Sequence, residues 1–352
     1  MFRNKEAAKA VLERYCDDYD LAAEDYSDLL LGSLLPVIGF ASIESEGEGD
    51  SATYFGGCPI LPRGMEWPIR PAVAELEALS AAGGSTHAPH LKRYGGQDFP
   101  FEFAAQIDCA VIADLGGRAD LGEGFPATGR LLFFYDVPLG PWRNGGQACR
   151  VIWDDTPLAD CALPSAPKAF EDMIAFERAE LLDGPNTYSL SREQLLECVP
   201  KFVHPKCAPR PEAVLKFLSA NTLDYRSNTK LAAALEAGDD LEYMYGDLMY
   251  EKGAEHLGHQ MFGAPSPEQD DPRYEAAHIK SGLPSYSEAG ENWPSVFAEL
   301  ESLAADWHLL LQLSLTDLMQ DKLMEGMVYF LIHKDDLAVQ NFDSVMAIYQ
   351  QT

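Results

Sequence analysis

The chain has 352 residues and carries 26 Lys and Arg against 56 Asp and Glu, which gives a formal net charge of −30 at pH 7 and an isoelectric point of about 4.4. A chain this acidic, without a large basic segment, is poorly suited to neutralising nucleic-acid phosphates or to binding an anionic membrane surface. Its hydrophobic fraction of 47% argues against disorder, and its length fits two domains or one large domain.

The cysteines and the N-terminus both point to the cytoplasm. The seven cysteines are odd in number and include no C-x-x-C pair, as expected of free thiols in a reducing compartment. No apolar signal-peptide core follows residues 1–6, and the longest apolar stretch, 29–43, is broken by Gly32, Pro36 and Gly39. We therefore predict a cytoplasmic protein without a membrane segment, and we predict no cofactor and no bound metal.

The first part of the chain divides into an acidic helical segment, 1–50, and a β-rich half, 51–160. Residues 4–31 have apolar positions at helical spacing, which predicts one helix or a pair, and 44–51 reads as an exposed loop. Strands are predicted at 103–108, 130–135 and 149–153. Within the insert 69–100, His87 and His90 are assigned to a solvent-exposed loop because Gly and Pro surround them.

A helical connector, 161–258, is predicted to precede a second β-rich half, 259–352. Residues 168–182 fit a helix or a strand, Ser191 and Gln194 form a capping box that begins a helix, and 211–220 and 229–237 read as helical. The span 192–230 has seven basic and four acidic residues, whereas 235–352 has five basic and 22 acidic ones. The predicted fold is α+β, with 51–352 forming one compact domain.

The two β-rich halves repeat short patterns in the same order. A turn with the sequence Phe55-Gly56-Gly57-Cys58-Pro59 is echoed by Phe262-Gly263-Ala264-Pro265. Gln106 follows Phe55 by 51 residues and Gln312 follows Phe262 by 50, each inside an apolar strand, and a Gly-led aromatic strand comes next in both halves. Chance recurrence of strand composition is the alternative, but three ordered matches favour an internal duplication of a mainly antiparallel sheet unit.

The two glutamines allow a structural and a functional interpretation. An uncharged polar side chain inside an apolar strand must find hydrogen-bond partners, and in the structural interpretation each glutamine is tied to the neighbouring Phe-Gly turn. In the functional interpretation, Gln106 and Gln312 line a cleft between the halves as ligand contacts, together with Asp108 and His259. Structural tethering is the favoured interpretation, and the ligand site is kept as the alternative.

At these residues the chain resembles the YwqG-like family of uncharacterised bacterial proteins, a domain of unknown function. Four segments carry the resemblance in order, namely 55–62 with Trp67 and Pro68, 103–108 with 129–135, 259–265 with 269–270, and 309–313 through 328–345. The residues at 324–327 and the long insert 69–100 depart from the family pattern. The resemblance implies an architecture and transfers no catalytic residue, and some family members resemble partners of toxin systems in their gene setting.

No sequence pattern organises the polar residues into recognised catalytic chemistry. His256 and His259, with Glu251 and Glu255 nearby, are the best metal-ligand candidates, but their order is not H-E-x-x-H and no metal site is predicted. Cys58 and Cys109 are interpreted as small core residues, since neither has the setting of an activated thiolate. Neither a G-x-S-x-G elbow nor a phosphate-binding glycine loop is present, and 56 acidic residues form carboxylate pairs by composition alone.

Three functional hypotheses follow. The leading one is a non-catalytic cytoplasmic binding or accessory protein, with an immunity-like partner of a basic protein as its specific form, because a strongly negative surface accelerates encounter with a cation. The alternative is an enzyme or small-ligand receptor that uses the cleft between the halves. In the third, the acidity provides solubility and the function resides in a larger complex.

Overall fold

A computed structural model describes residues 1–41, 52–115, 121–184, 189, 191–250, 256–319 and 325–351. Within these ranges the chain is an α+β protein whose strands pair antiparallel, which confirms the predicted fold class. The loop predicted at 44–51 lies outside the described residues.

The strands are mostly short, with at most eight residues each among those that the structure describes. They are β1 (Leu35–Ala41), β2 (Tyr54–Phe55), β3 (Leu61–Pro62), β4 (Ile69–Arg70), β5 (Phe99–Pro100), β6 (Glu102–Asp108), β7 (Arg130–Tyr135), β8 (Cys149–Asp154), β9 (Cys161–Ala162), β10 (Arg210–Lys216), β11 (His256–Met261), β12 (Trp307–Ser314), β13 (Met327–His333) and β14 (Met346–Gln350). The strands predicted at 103–108, 130–135 and 149–153 are therefore confirmed as β6, β7 and β8.

The helices lie between the strands and at the N-terminus. They are α1 (Lys5–Asp18), α2 (Ala23–Gly32), α3 (Leu76–Ala82), α4 (Gly84–Gly95), α5 (Cys109–Leu115), α6 (Lys168–Asp183), α7 (Arg192–Glu197), α8 (Leu223–Ser227), α9 (Thr229–Glu236), α10 (Asp239–Tyr250), α11 (Pro272–Ser281), α12 (Tyr286–Ala289), α13 (Trp293–Ala304), α14 (Leu315–Met319) and α15 (Lys334–Ala338). Short 3₁₀ turns occupy Gly140–Trp142, Gly146–Ala148, Leu158–Asp160, Gly290–Asn292 and Phe342–Ser344. Ser191 caps α7 in the predicted capping box.

Two main sheets organise the molecule. One has six strands in the order β10-β1-β11-β12-β13-β14, and the other has four in the order β2-β6-β7-β8. The larger sheet recruits β1 from the N-terminal segment and β10 from the connector. Its last four strands follow the same spatial and chain order as the four strands of the smaller sheet, and both sheets have a bulge two residues before the glutamine, at Ala104 and Leu310.

The prediction of a helix at 211–220 is wrong. Arg210–Lys216 is strand β10, and all seven of its residues pair with β1, from Leu35↔Lys216 to Ala41↔Arg210. Pro211 stands second in this strand, opposite Phe40. The helix-forming residues Glu212, Ala213 and Leu215 are overridden here by long-range pairing, which their local propensity could not indicate.

The two sheets share one apolar core. Phe133 of β7 packs against Phe330 of β13 with ring centroids 5.1 Å apart, and Phe55 contacts Phe40 of β1 at 4.9 Å. The surrounding buried residues come from both sheets. The halves therefore meet through packed hydrocarbon and aromatic rings, whose removal from water stabilises their association.

The insert and the N-terminal segment are both helical and packed. The assignment of His87 and His90 to a loop is wrong because both lie in α4, where Leu91 and Tyr94 are buried and Tyr94 contacts Phe99 at 5.4 Å. Burial of Leu91 and Tyr94 on one face of α4 outweighs the helix-breaking tendency of Pro89. The predicted helices near the N-terminus are confirmed as α1 and α2, which share a core with α9 and α10.

Candidate functional site

The two turns share positive φ values at two consecutive residues. Gly56 and Gly57 have φ values of 64° and 70°, and Phe262 and Gly263 have values of 57° and 65°. A proline follows two residues later in each case, at Pro59 and Pro265. The backbone therefore equates Gly56 with Phe262, so the predicted pairing of Phe55 with Phe262 is off by one residue, and the separation to the glutamine becomes 50 residues in both halves.

Close backbone contact explains the glycine in the first turn. A Cβ atom on Gly56 would lie 2.2 Å from the carbonyl oxygen of Pro205, and the amide of Gly57 donates to the carbonyl of His204 at 2.8 Å. In the second turn Phe262 takes the same left-handed conformation, and its ring packs edge-on against Phe125 at 5.1 Å. Left-handed backbone is costly for a residue with a Cβ, so packing must hold Phe262 there.

Each predicted glutamine is bonded to the turn of its own half. The Oε1 atom of Gln106 accepts from the amide of Ile60 at 3.2 Å, and that of Gln312 accepts from the amide of Ser266 at 2.7 Å. Ile60 and Ser266 are the residues directly after the turn prolines. Gln106 also accepts from the Tyr54 hydroxyl and donates to the carbonyl of Ala52. These contacts match the structural interpretation of the two glutamines.

Asp108 and His259 also have partners inside the protein. The carboxylate of Asp108 accepts from the amide of Ala110 at 2.9 Å at the start of α5, and Ser314 occupies the corresponding place before α14. The His259 ring stacks on Phe55 with centroids 4.2 Å apart, and its Nδ1 accepts from the amide of Ser314. Burial lowers the pKa of His259 to about 4, against the opposing charge of Asp317.

The structure thus brings His259 to the first turn, while each glutamine faces its own turn. Gln106, His259 and Gln312 are 0%, 1% and 2% exposed. A ligand between the halves would have to displace their internal hydrogen bonds before it could contact them. The surface cavity formed between α4 and α6, of about 300 Å³, is lined by other residues, including Arg93, Phe99 and Phe176.

The histidines considered as metal ligands lie on a strand, and the cysteines considered as nucleophiles have raised pKa values. His256 and His259 lie on strand β11 and not on a helix, while Glu251 and Glu255 fall outside the described residues. Across the part of the chain that the structure describes, no three His, Cys, Asp or Glu side chains gather as metal ligands. Burial raises the pKa of Cys109 to about 12 and also raises that of Cys58, which disfavours their thiolates.

A buried lysine at the second turn was not anticipated. The Nζ atom of Lys216 lies 3.1 Å from Oε1 of Gln260, 3.0 Å from the carbonyl oxygen of Ala264 and 2.6 Å from Oγ of Ser266. Burial lowers the pKa of Lys216 to about 7, although Asp224 and Asp271 act in the opposite direction. A lysine inside the otherwise apolar run 213–218 was the available signal, but it was counted only among the basic residues of 192–230.

Two buried contacts between titratable side chains were also missed. Arg70 contacts Asp136 at 2.7 Å, and His204 contacts Glu102 at 2.8 Å, with all four side chains nearly inaccessible to solvent. Burial raises the pKa of Asp136 to about 6, against the charge of Arg70. Arg70 and Asp136 are 66 residues apart in the sequence, and Glu102 and His204 are 102 apart, so no local sequence pattern relates them.

The helical layer carries a concentrated acidic surface. We define the acidic face as the carboxylates of residues 17–28 and 236–247, two segments that contain no Lys or Arg. All eleven are solvent-exposed: Asp17, Asp18, Asp20, Glu24, Asp25, Asp28, Glu236, Asp239, Asp240, Glu242 and Asp247. The segments adjoin because α1 contacts α10 and α2 contacts α9, and the Tyr19 hydroxyl donates to Asp247.

These features define an α+β protein built on two antiparallel sheets, with paired glutamine-tethered turns. The chain belongs to the family described as Domain of unknown function (DUF1963), whose match spans residues 53–350. No curated protein matches it. Among the described residues, no helix is long and apolar enough to cross a membrane.

Proposed function

We propose that the protein is a non-catalytic cytoplasmic binding or accessory protein whose acidic face takes a basic protein partner. The observation that carries this proposal is the set of eleven exposed carboxylates on the acidic face, without a Lys or Arg in either segment. An immunity-like role, in which the partner is a basic toxin, is the specific form that the resemblance to YwqG-like proteins favours.

The chemistry of the acidic face suits such a partner. Carboxylates of one sign on adjoining helices raise the rate of encounter with a cationic surface, and salt screens this attraction. Tyr243 is 69% exposed and stands directly after Glu242. An exposed aromatic ring among carboxylates offers a partner's Lys or Arg both a stacking surface and a counter-charge.

The proposal includes a duplicated architecture for 51–352. Its support is the shared strand order, the matched bulges and a further pair of equivalent hydrogen bonds. The amide of Cys109 donates to the carbonyl of Gly129 at 3.0 Å, and that of Leu315 donates to the carbonyl of Gly326 at 3.1 Å. In this proposal the acidic face belongs to helices outside the repeated strand units, so the partner would bind beside the duplicated body.

The binding role is tested by photocrosslinking from the acidic face. A photoreactive amino acid replaces Tyr243 in the full chain, and the matched control replaces Tyr286, which is 71% exposed and lies on α12. Crosslinking in cells of the source organism should give a discrete adduct from position 243 alone, and mass spectrometry should identify a protein with a high isoelectric point. Adducts of equal yield from both positions, or an acidic partner, would contradict the proposal.

A charge-matched pair of variants then tests whether the acidic face is responsible. The first variant neutralises five of its carboxylates, with Asp18→Asn, Asp20→Asn, Asp28→Asn, Glu236→Gln and Glu242→Gln. The second removes five exposed carboxylates elsewhere, with Glu171→Gln, Glu193→Gln, Glu197→Gln, Glu291→Gln and Glu299→Gln. We expect the adduct at position 243 to fall about tenfold in the first variant only, since each pair of opposite charges contributes modestly. Equal loss in both would show that net charge, and not this face, attracts the partner.

A further inference from the structure

Ser266 is held rigidly at the second turn while remaining partly exposed. Its amide donates to Oε1 of Gln312 at 2.7 Å, and its carbonyl accepts from the hydroxyl of Tyr329 at 2.8 Å. Pro265 and Pro267 flank it and fix the φ angles on both sides. The side chain is therefore presented at one position, a condition that favours a residue that reacts.

Lys216 lies beneath this serine in a position to take its proton. The Nζ to Oγ distance is 2.6 Å, and the two other Nζ contacts, Oε1 of Gln260 and the carbonyl oxygen of Ala264, are pure acceptors. A neutral amine has two N–H groups and one lone pair. In that form its two donors match these two acceptors, and its lone pair is left to accept from the Ser266 hydroxyl, the reverse of the bond that the ammonium donates to Oγ.

The charged groups around Lys216 leave the neutral amine accessible near neutral pH. Burial favours the neutral form, Asp224 and Asp271 favour the ammonium, and Arg273 opposes it, with a resulting pKa of about 7. Arg273 itself pairs with both aspartates, at 2.5 and 2.6 Å, so much of their negative charge is already compensated. An amine that is partly neutral at physiological pH can act as a general base.

We propose that Ser266 is a nucleophile activated by Lys216 and that it accepts an acyl group from an activated ester or comparable acyl donor. The Ser266 oxygen bonds to the acyl carbon while its proton passes to Nζ of Lys216. As the bond to the leaving group breaks, that proton passes to the leaving oxygen, which leaves an O-acyl serine and neutral Lys216. This activity does not use the acidic face and does not depend on the proposed binding role.

The first turn provides an internal comparison. Ile60 occupies the place of Ser266 and is held by Gln106 through the same amide contact, but it carries no nucleophile. Tethering by glutamine therefore needs neither a serine nor a buried lysine. The geometry of the second turn therefore does not by itself explain why Ser266 and a buried Lys216 are found there.

p-Nitrophenyl acetate tests the proposal on the full chain. Release of p-nitrophenolate is followed between pH 5.5 and 9, and the acetylated residue is located by mass spectrometry. We expect one acetyl group on Ser266, removable by neutral hydroxylamine as an ester, with a rate that rises to a plateau around pH 7. Ser266→Ala should abolish it, whereas Ser285→Ala, at an exposed helix cap, should leave it unchanged.

Lysine variants separate proton transfer from folding. Lys216→Arg keeps the charge and Lys216→Met removes it, and each should slow acetylation of Ser266 by about a hundredfold, the usual contribution of a general base. If both unfold, Ser266→Cys supplies the test, since a neighbouring amine that takes its proton should make its alkylation by iodoacetamide at pH 7 faster than that of Ser287→Cys. Acetylation found on Lys216 as a hydroxylamine-resistant amide, or Ser266 reacting no faster than Ser287, would overturn the proposal.

Discussion

The first and second turns share a backbone but differ in the chemistry that holds them. In the first, Tyr54 and Gln106 form a neutral network, and Gly56 permits the close approach of Pro205. In the second, Phe262 replaces the glycine and a buried lysine bridges Gln260 and Ser266. Both turns therefore need a hydrogen-bond acceptor for the amide of the residue after the proline, and a glutamine supplies it in each half.

Because of this difference, the two turns should lose stability in response to different changes. The first turn depends on the absence of a side chain, so steric changes should damage it most. The second turn depends on a titratable group in a site that disfavours charge, so its stability should depend on pH.

Lys216→Met should remove a strong pH dependence of stability. Because the folded-state pKa of about 7 lies below the ordinary 10.5, the unfolded chain binds an extra proton between these values, and stability therefore rises with pH. The free energy of unfolding of the wild type, minus that of the variant, should rise by about 4 kcal/mol between pH 7 and pH 10. Urea unfolding across this range measures it. Lys206→Met, at the exposed lysine over the Tyr54 ring of the first turn, is the matched control, and its difference should vary by less than about 1 kcal/mol.

Gly56→Ala should destabilise the first turn by about 3 kcal/mol, through left-handed strain and collision with the Pro205 carbonyl. Gly64→Ala is a matched control because Gly64 also has positive φ, 88°, but its Cβ would meet nothing within 4 Å. The control should lose only about 1 kcal/mol. Chemical denaturation of both variants checks this, and equal losses would show that the contact with Pro205 relaxes freely.

Gln106→Leu should cost about 2 kcal/mol, because it leaves the amide of Ile60 and the carbonyl of Ala52 unpaired. Gln312→Leu should cost about 1 kcal/mol, because it leaves the amide of Ser266 unpaired. Thermal unfolding at pH 7 ranks the two variants. The reverse ranking would mean that the second turn relies on its glutamine more than the hydrogen bonds indicate.

Local patterns in the sequence predicted the elements that local physics determines. Such cases are the capping box at Ser191, the amphipathic helices before Gly32 and the apolar strands around each glutamine. Strand β10 was missed because its partner, β1, lies about 175 residues away in the sequence, a separation that no local pattern includes. The Lys216 cluster was missed for the same reason, since its acceptors follow it by 44 to 50 residues.

The smallest predicted effect concerns the helices that follow the two glutamine strands. Asp108→Ala removes an acceptor for the amide of Ala110 at 2.9 Å, and Ser314→Ala removes one for the amide of Asp317 at 3.3 Å. Loss of a cap costs about 1 kcal/mol, and the shorter, charge-assisted contact should cost more. We therefore expect Asp108→Ala to lower the midpoint of urea unfolding more than Ser314→Ala does at pH 7. Equal losses in the two variants would show that the charge of Asp108 is not what distinguishes the first cap from the second.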